Sequence, residues 1–291
     1  MIKLISFIIL FLPKNLPHPD SFDFAIAISV QVNMEFHPCK CGNPPFRGGD
    51  IGRRATCIKQ LKKIYKDKIL YFDAGNFVKI TPYEPYAPPV FSKIAKEMKV
   101  DAMGVGYYEN FGGEIYLKKW ADKFPFATLI PKISFIPREK IFKIKDFKII
   151  FTSYSPLYEK ESKPVNDYFE NAVENKNFYV FASCNMAPEN FGNLPSNLLY
   201  IYASYHKFET VIDTLNYKFI YITPARYGLY FPVLFFKYIN GKFKIKYFVE
   251  IPMDSNVPSD KNIDNLENEF QKEKRKYEEQ REKEIEKRIK R

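Results

Sequence analysis

Four cysteines and three histidines are the side chains of this 291-residue chain suited to soft-metal binding or nucleophilic chemistry. Cys39 and Cys41 are separated by one residue, with His37 just before them, while Cys57, Cys184, His18 and His206 are scattered. That spacing is not a paired CxxC zinc framework. It is read instead as loop thiols or a disulfide at Cys39 and Cys41, a core residue at Cys57 and a small buried residue at Cys184. The competing reading is a single Zn or Cu(I) site, or a redox pair, for which Cys39, Cys41 and His206 are the weak candidate ligands. Export would favour bonded thiols and the cytosol free ones. Ser183 and Ser204 lack a G-x-S-x-G elbow, and Glu35, Asp73, Glu109 and Asp213 cannot be paired from sequence into an acid/base dyad. Gly48-Gly49 stands before a helical stretch carrying Arg53, Arg54 and Lys59, and such a helix start could hold an anion. His18 lies among prolines and reads as a solvated loop residue.

The elements that must position these groups alternate. An apolar run over residues 24–32 is followed by a Pro/Cys/Gly loop and by residues 53–65, where Ala55, Ile58, Leu61 and Ile64 recur at helical spacing. A short buried strand over 68–72 leads into Asp73-Ala-Gly-Asn76. Helical stretches at 91–98 and 114–121 flank a strand and turn at 101–106. The rhythm returns at 147–151, 178–182 and 198–202, and late β-rich segments at 219–223, 230–238 and 242–251 enclose the hairpin signal Asn240-Gly241. Strands ending in small or polar residues with helices between them predict an α/β sandwich, with the chemistry at the carboxyl ends of the strands.

Those strand ends carry a resemblance. Arg47-Gly-Gly-Asp-Ile-Gly-Arg-Arg-Ala-Thr56, Ile69-Leu-Tyr-Phe-Asp-Ala-Gly75 and Asp101-Ala-Met-Gly-Val-Gly106 with Glu109-Asn-Phe-Gly112 resemble blocks of the 5′-nucleotidase-type, calcineurin-like metallophosphoesterases. The likeness covers roughly residues 24–245 and lies in the spacing of several blocks. Pro38-Cys39-Lys40-Cys41 resembles a P-C-G-C variant of exported bacterial members. The resemblance implies a metallophosphoesterase-like αββα sandwich of two mixed sheets with flanking helices.

It also implies where two divalent metal ions would sit in an active member, and those positions are degenerate. The D-x-H block falls on Gln31-Val32-Asn33 and the bridging Asp of D-x-G-D on Asn76. The Asn-His pair falls on Tyr107-Tyr108, the S-H histidine on Cys184, and the G-H-x-H block on residues 203–206, with Ser204 at its first His and His206 retained. Neutral amides and protonated tyrosines are poor ligands for divalent cations. The expectation is therefore a catalytically inactive metallophosphoesterase-fold protein that works as a binding or interaction module, with no cofactor and no catalytic residue. The alternative is an active phosphohydrolase with a rearranged two-metal site.

Composition sets the remaining bounds. With 46% hydrophobic and 27% charged residues, 12 Gly and 21 Pro, the chain is neither collagen-like nor low-complexity nor wholly disordered, and its 28 Phe and 21 Tyr read as core and strand filler. The net charge is +11, from 45 Lys+Arg and 34 Asp+Glu, but lysines alternate with apolar residues over 140–148 and 237–246 as on a solvent face. No basic cluster with interleaved aromatics is present, so nucleic acid is disfavoured as a partner. Residues 1–23 form a signal-like or anchor leader whose apolar run at 4–12 is too short to span a bilayer as a helix. This predicts an exported or periplasmic protein, or a cytoplasmic one if the leader is no signal, with membrane contact only through that leader. The domain follows at 24–251, a linker at 252–259 and a charged helix at 260–291. The helix is expected to pack poorly on the body and to meet a protein partner through Ile263, Leu266 and Phe270, the stretch with heptad spacing.

Overall fold

In a computed structural model of the chain, residues 12–33, 50–78, 90–111, 113–157, 161–172, 176–192, 194–203, 210–213, 218–224 and 229–289 are described. Two six-stranded mixed sheets carry the fold. The first has the order β12-β11-β1-β2-β3-β4, where β1 (Phe24–Ser29), β2 (Ile69–Asp73), β3 (Ala102–Gly104) and β4 (Phe126–Ala127) are parallel, and β11 (Tyr230–Ile239) and β12 (Lys242–Pro252) close it as an antiparallel hairpin. The second has the order β5-β6-β7-β8-β10-β9, with β6 (Phe147–Ser153), β7 (Asn177–Ser183), β8 (Leu198–Tyr202) and β10 (Ile220–Thr223) parallel. Its two edges, β5 (Lys140–Ile144) and β9 (Val211–Asp213), are antiparallel to their neighbours. Asn240 and Gly241 both take positive φ, 52° and 81°, as the two-residue hairpin turn signalled in the sequence requires.

Strand periodicity decides which face each side chain joins. Phe24, Ile26 and Ile28 of β1 join the core between the sheets with Phe72, Phe151, Val180, Leu199 and Leu234. Ala25 and Ala27 point to the other face, where their small size lets α1 (Ile51–Tyr65) pack close with Ala55, Ile58, Leu61 and Tyr65. The buried phenylalanines divide between the inter-sheet core and the outer core under the helices. Phe24, Phe178 and Phe236 bring their ring centroids within 4.8–5.4 Å of one another, in the tilted and offset arrangements that aromatic quadrupoles favour. With α1, helices α2 (Val90–Glu97) and α4 (Gly113–Trp120) add apolar residues to the outer core, and Val165 and Phe169 of α5 (Lys163–Phe169) join Tyr179 and Phe181 of β7 there. The expected two-sheet α/β sandwich is what forms.

Both chain ends depart from expectation. The described part of the leader is packed: Leu12 and Phe22 are buried, the Phe22 ring lies 5.2 Å from Tyr65 and 4.9 Å from Phe235, and the Tyr65 hydroxyl donates to the Pro17 carbonyl. From Leu12 onward the chain is therefore part of the body. Among the described residues no helix is long and apolar enough to cross a membrane.

The C-terminal helix α6 (Lys261–Ile289) is likewise docked over its first third, which corrects the expectation of a loosely packed tail. Ile263 is 2% exposed, Leu266 and Phe270 pack against the outer core, and the Phe270 ring lies 5.4 Å from Phe91 of α2. Charge reinforces the apolar seam. Asp260 pairs with Lys59 at 2.7 Å and Glu269 with Lys93, while the Asp260 amide donates to the Gly52 carbonyl. Ile263, Leu266 and Phe270 thus meet α1 and α2, and beyond Phe270 no described residue is buried.

Candidate functional site

The parallel strands of both sheets end on one side of the molecule, and the loops there cross between sheets. After β1 the chain bends sharply, with Gln31 and Asn33 at φ 51° and 50°; after β2 it bends again at Gly75 (φ 109°) and Asn76 (φ 59°). Left-handed backbone at a non-glycine residue costs of the order of 1–2 kcal/mol, so three such amides at one sheet end are held there by their surroundings. Hydrogen bonds do the holding. The Gln31 amide donates to the Gly75 carbonyl at 3.1 Å, the Asn33 amide to the Asn76 carbonyl at 2.9 Å, and the Gln31 side-chain NH2 to the Ala203 carbonyl past the end of β8 at 3.1 Å.

Glu109 is the hub. It stands in α3 (Tyr107–Phe111), a turn of helix not foreseen as an element, and it is fully buried. Its carboxylate accepts from the backbone N–H of Asn76 at 2.8 Å, Val78 at 3.0 Å and Gly106 at 2.9 Å. Burial pushes its pKa up, and the three N–H donors oppose that shift. The Asn76 side-chain oxygen accepts from the Tyr108 amide at 2.9 Å. Gly75 and Gly106 lie so close that a Cβ on Gly75 would come within 2.7 Å of the Gly106 backbone; one on Gly106 would come within 2.3 Å of the Asn76 nitrogen. Gly106 is therefore needed for this approach of two loops, a signal present in the sequence as a glycine after a strand.

Asp73, fully buried, forms a second centre. One oxygen accepts from the Ser29 hydroxyl at 2.5 Å and the other from the Gly75 amide at 2.9 Å; Ser29 also meets the Tyr71 hydroxyl at 2.8 Å. Burial raises the Asp73 pKa to about 7, with Glu109 adding to the rise and buried Arg54 and the two hydrogen bonds working against it. The folded protein therefore holds this proton where the unfolded chain, with a pKa near 3.8, has released it. Linkage then gives a stability contribution that is full below about pH 4 and is lost as pH rises toward 7. At about 1.4 kcal/mol per pKa unit its size is on the order of 4 kcal/mol. Asp50 and Glu109, also raised, act in the same sense, while Asp23 and Glu97, lowered by their lysine and amide partners, act in the opposite one. Replacing Asp73 with Asn should flatten the fall in denaturant midpoint between pH 4 and pH 7; an unchanged slope would place the proton elsewhere.

Of the positions singled out from sequence, Gln31, Asn33, Asn76, Tyr107, Tyr108 and Cys184 come together at this sheet end. Cys184 is buried, its thiol directed at the Ala74 carbonyl (3.5 Å) and its pKa pushed up to about 12, mainly by burial. Cys57, also free, is a core residue of α1 whose pKa burial raises further still. Both are unreactive thiols. Cys39, Cys41, His37, Glu35, Ser204 and His206 lie outside the described residues. The helix start after Gly48-Gly49 is not an open anion site, because the Asp50 carboxylate caps it: it accepts from the Arg53 amide at 2.6 Å and pairs with the Arg53 guanidinium at 2.9 Å. His18 is exposed, as expected, and its ring accepts from the Asp20 amide. Ser29 and Tyr71 were missed, since a lone serine or a strand tyrosine carries no motif; Arg54, read from sequence as part of a helix start, is instead buried, where its charge acts on Asp73.

The described side chains at this sheet end are a poor match for a pair of divalent cations. Among the described residues no three His, Cys, Asp or Glu side chains are grouped to hold a metal ion. Asp73 and Glu109, the carboxylates among the described residues here, are engaged by Ser29, Gly75 and three backbone amides, and the described positions between them offer amides, phenols and a buried thiol.

No family model matches the sequence, and no curated protein matches it. Solved structures do. The sulfate thiohydrolase SoxB of Thermus thermophilus aligns with a TM-score of 0.66 at 12% identity, over 84% of this chain and 59% of its own. A 5′-nucleotidase precursor, also from Thermus thermophilus, gives 0.66 at 12% identity, over 85% and 58%. The calcineurin-like phosphoesterase YfkN of Bacillus subtilis gives 0.59 at 12% identity, over 87% and 98%. The chain thus has the calcineurin-like metallophosphoesterase fold, and it spans about three fifths of the length of the first two structures.

Proposed function

We propose that this chain is a catalytically inactive metallophosphoesterase-fold protein that acts through binding. The observation that carries the reading is the internal commitment of the strand-end side chains. Gln31 ties β1 to the end of β8, Asn76 holds the Tyr108 amide, Cys184 faces the Ala74 carbonyl and Glu109 is spent on three backbone donors. Two-metal hydrolysis needs a bridging carboxylate and several anionic or imidazole ligands, to lower the pKa of water and to neutralise phosphoryl charge. The described side chains offer none of these in an available state.

Export through the apolar leader belongs to the same proposal. Because Leu12 and Phe22 pack into the body, processing of an exported form would fall before Leu12.

The test is hydrolysis of p-nitrophenyl phosphate and of nucleoside monophosphates with Mn²⁺, Zn²⁺ or Mg²⁺, together with elemental analysis of the purified protein. Turnover well below about 1 s⁻¹, the low end of ordinary enzymes, is expected. Turnover at or above that rate with two bound divalent ions would establish the alternative, an active phosphohydrolase. One tightly held soft metal would point to Cys39, Cys41 and His206.

A further inference from the structure

The end of the sandwich opposite the candidate site is basic where its two sheets meet. β1, β6 and β7 start there, and the β5–β6 and β11–β12 hairpins turn there, at Lys145-Asp146 and Asn240-Gly241. Asp23, just ahead of β1, ties the two hairpins together: its carboxylate takes the Lys145 and Lys237 ammonium groups, each at 3.4 Å, and accepts from the Tyr238 amide at 2.9 Å. Lys176 joins them through Asp146 at 3.0 Å and through its own carbonyl, which accepts from the Lys148 amide at 3.1 Å. Lys143 and Lys148 stand directly opposite each other across β5 and β6, and Lys237 and Lys244 across β11 and β12. Like charges in such positions destabilise a sheet. With Lys242 beside the turn, seven lysines share this corner with two aspartates. The chain also enters the body at this end. The Pro17 carbonyl is bonded to Tyr65 in the last turn of α1, and Lys68, just before β2, donates to the Pro19 carbonyl at 2.8 Å. In the sequence an apolar run at residues 4–11 precedes that entry.

We propose that this lysine corner rests on the anionic headgroups of a lipid bilayer. A short apolar anchor by itself holds a protein to a bilayer only reversibly, and a polybasic patch is one of the second signals that make attachment stable. Headgroup phosphates would also offset the repulsion between the opposed lysines, which the fold alone leaves standing. Ile239, beside the β11–β12 turn, is 38% exposed and adds an apolar contact at the same tip. Nucleic acid fits this corner less well, because Phe147, Phe178 and Phe243 are turned into the inter-sheet core and present no ring for a base to stack on. In this orientation the strand ends that carry Glu109 face away from the bilayer. The inference uses none of the side chains at those strand ends, so it stands whether or not the protein hydrolyses phosphate esters.

Flotation of the full chain with phosphatidylcholine vesicles, with and without phosphatidylglycerol, tests this. Binding at low salt should be at least about tenfold tighter when phosphatidylglycerol is present, and the gain should shrink as KCl is raised. Lys143→Gln, Lys148→Gln and Lys244→Gln combined should remove most of that gain, at roughly fivefold for each lysine. All three are exposed, and removing one member of each opposed pair should leave Tm unchanged or higher. Lys272→Gln, Lys276→Gln and Lys287→Gln, which lower the net charge equally on the exposed part of α6, should keep the gain. Equal binding to both kinds of vesicle, as an apolar leader alone would give, would overturn the proposal. So would equal losses in the two triple variants, or capture of a single-stranded oligonucleotide in preference to phosphatidylglycerol vesicles.

Discussion

Replacing Glu109 with Ala should lower the stability of this protein more than any other single change at the strand ends. The substitution leaves the amides of Asn76, Val78 and Gly106 without their common acceptor in a site where Glu109 is fully buried. At roughly 1–3 kcal/mol for each stranded buried donor, less the desolvation of the carboxylate itself, the expected loss is about 3–5 kcal/mol. In a domain of this size that is a drop in Tm on the order of 10 °C. Glu109→Gln keeps one carbonyl oxygen for the three donors but turns an NH2 toward them, and should fall between Ala and the native residue. A Tm shift under about 3 °C for Glu109→Ala would mean that the three amides find other partners and that Glu109 is not the hub of the strand-end loops.

The second large effect is expected at the C-terminal helix, and it depends on where the chain is cut. Ending the chain at Ser259 removes Ile263, Leu266 and Phe270 from the outer core, together with the Lys59 to Asp260 and Lys93 to Glu269 pairs. Full burial of a large apolar side chain is worth about 1.5–3 kcal/mol. Of the ion pairs, the exposed Lys93–Glu269 pair adds only tenths and the partly buried Lys59–Asp260 pair up to about 1 kcal/mol. The loss should be about 3–5 kcal/mol, seen as a Tm lower by about 10 °C. Ending it after Gln271 keeps the docked third and removes a helix with no buried residue, so the melting curve should stay within about 1 °C of the full chain. Equal behaviour of the two truncations would contradict the docked arrangement. If α6 has a partner, Ile285 and Ile289 are exposed for it, whereas Ile263, Leu266 and Phe270 are already engaged by the body.

Most elements were legible because their signals are local. The helical apolar spacing of α1, the continuous apolar runs of β1, β2, β7 and β8, and Asn240-Gly241 in the hairpin each depend on neighbours in the chain, and each formed within a few residues of where the sequence puts it. The short elements α3, β4 and β9 escaped, since five residues or fewer do not complete a period that can be recognised. The candidate positions were legible as identities: Gln31, Asn76, Tyr107, Tyr108 and Cys184 were singled out by block spacing, and the parallel strands do bring them to one sheet end.

What those side chains do there was decided by the tertiary structure alone. The sequence by itself determined the α/β alternation and the residue types at Gln31, Asn33, Asn76, Tyr107, Tyr108 and Cys184, because local periods and identities are read along the chain, whereas the order in which the strands pair into two sheets is not. It did not determine that Glu109 would gather the Asn76 and Val78 amides from the loop after β2, that Asp73 would be bonded by Ser29, itself bonded to Tyr71, or that Gln31 would reach across to Ala203. Nor did it show that the tail's heptad residues pair with α1 and α2 of their own chain. Each of these is a contact between residues distant in sequence, and its energy depends on burial and donor geometry, which exist only once the sheets have packed.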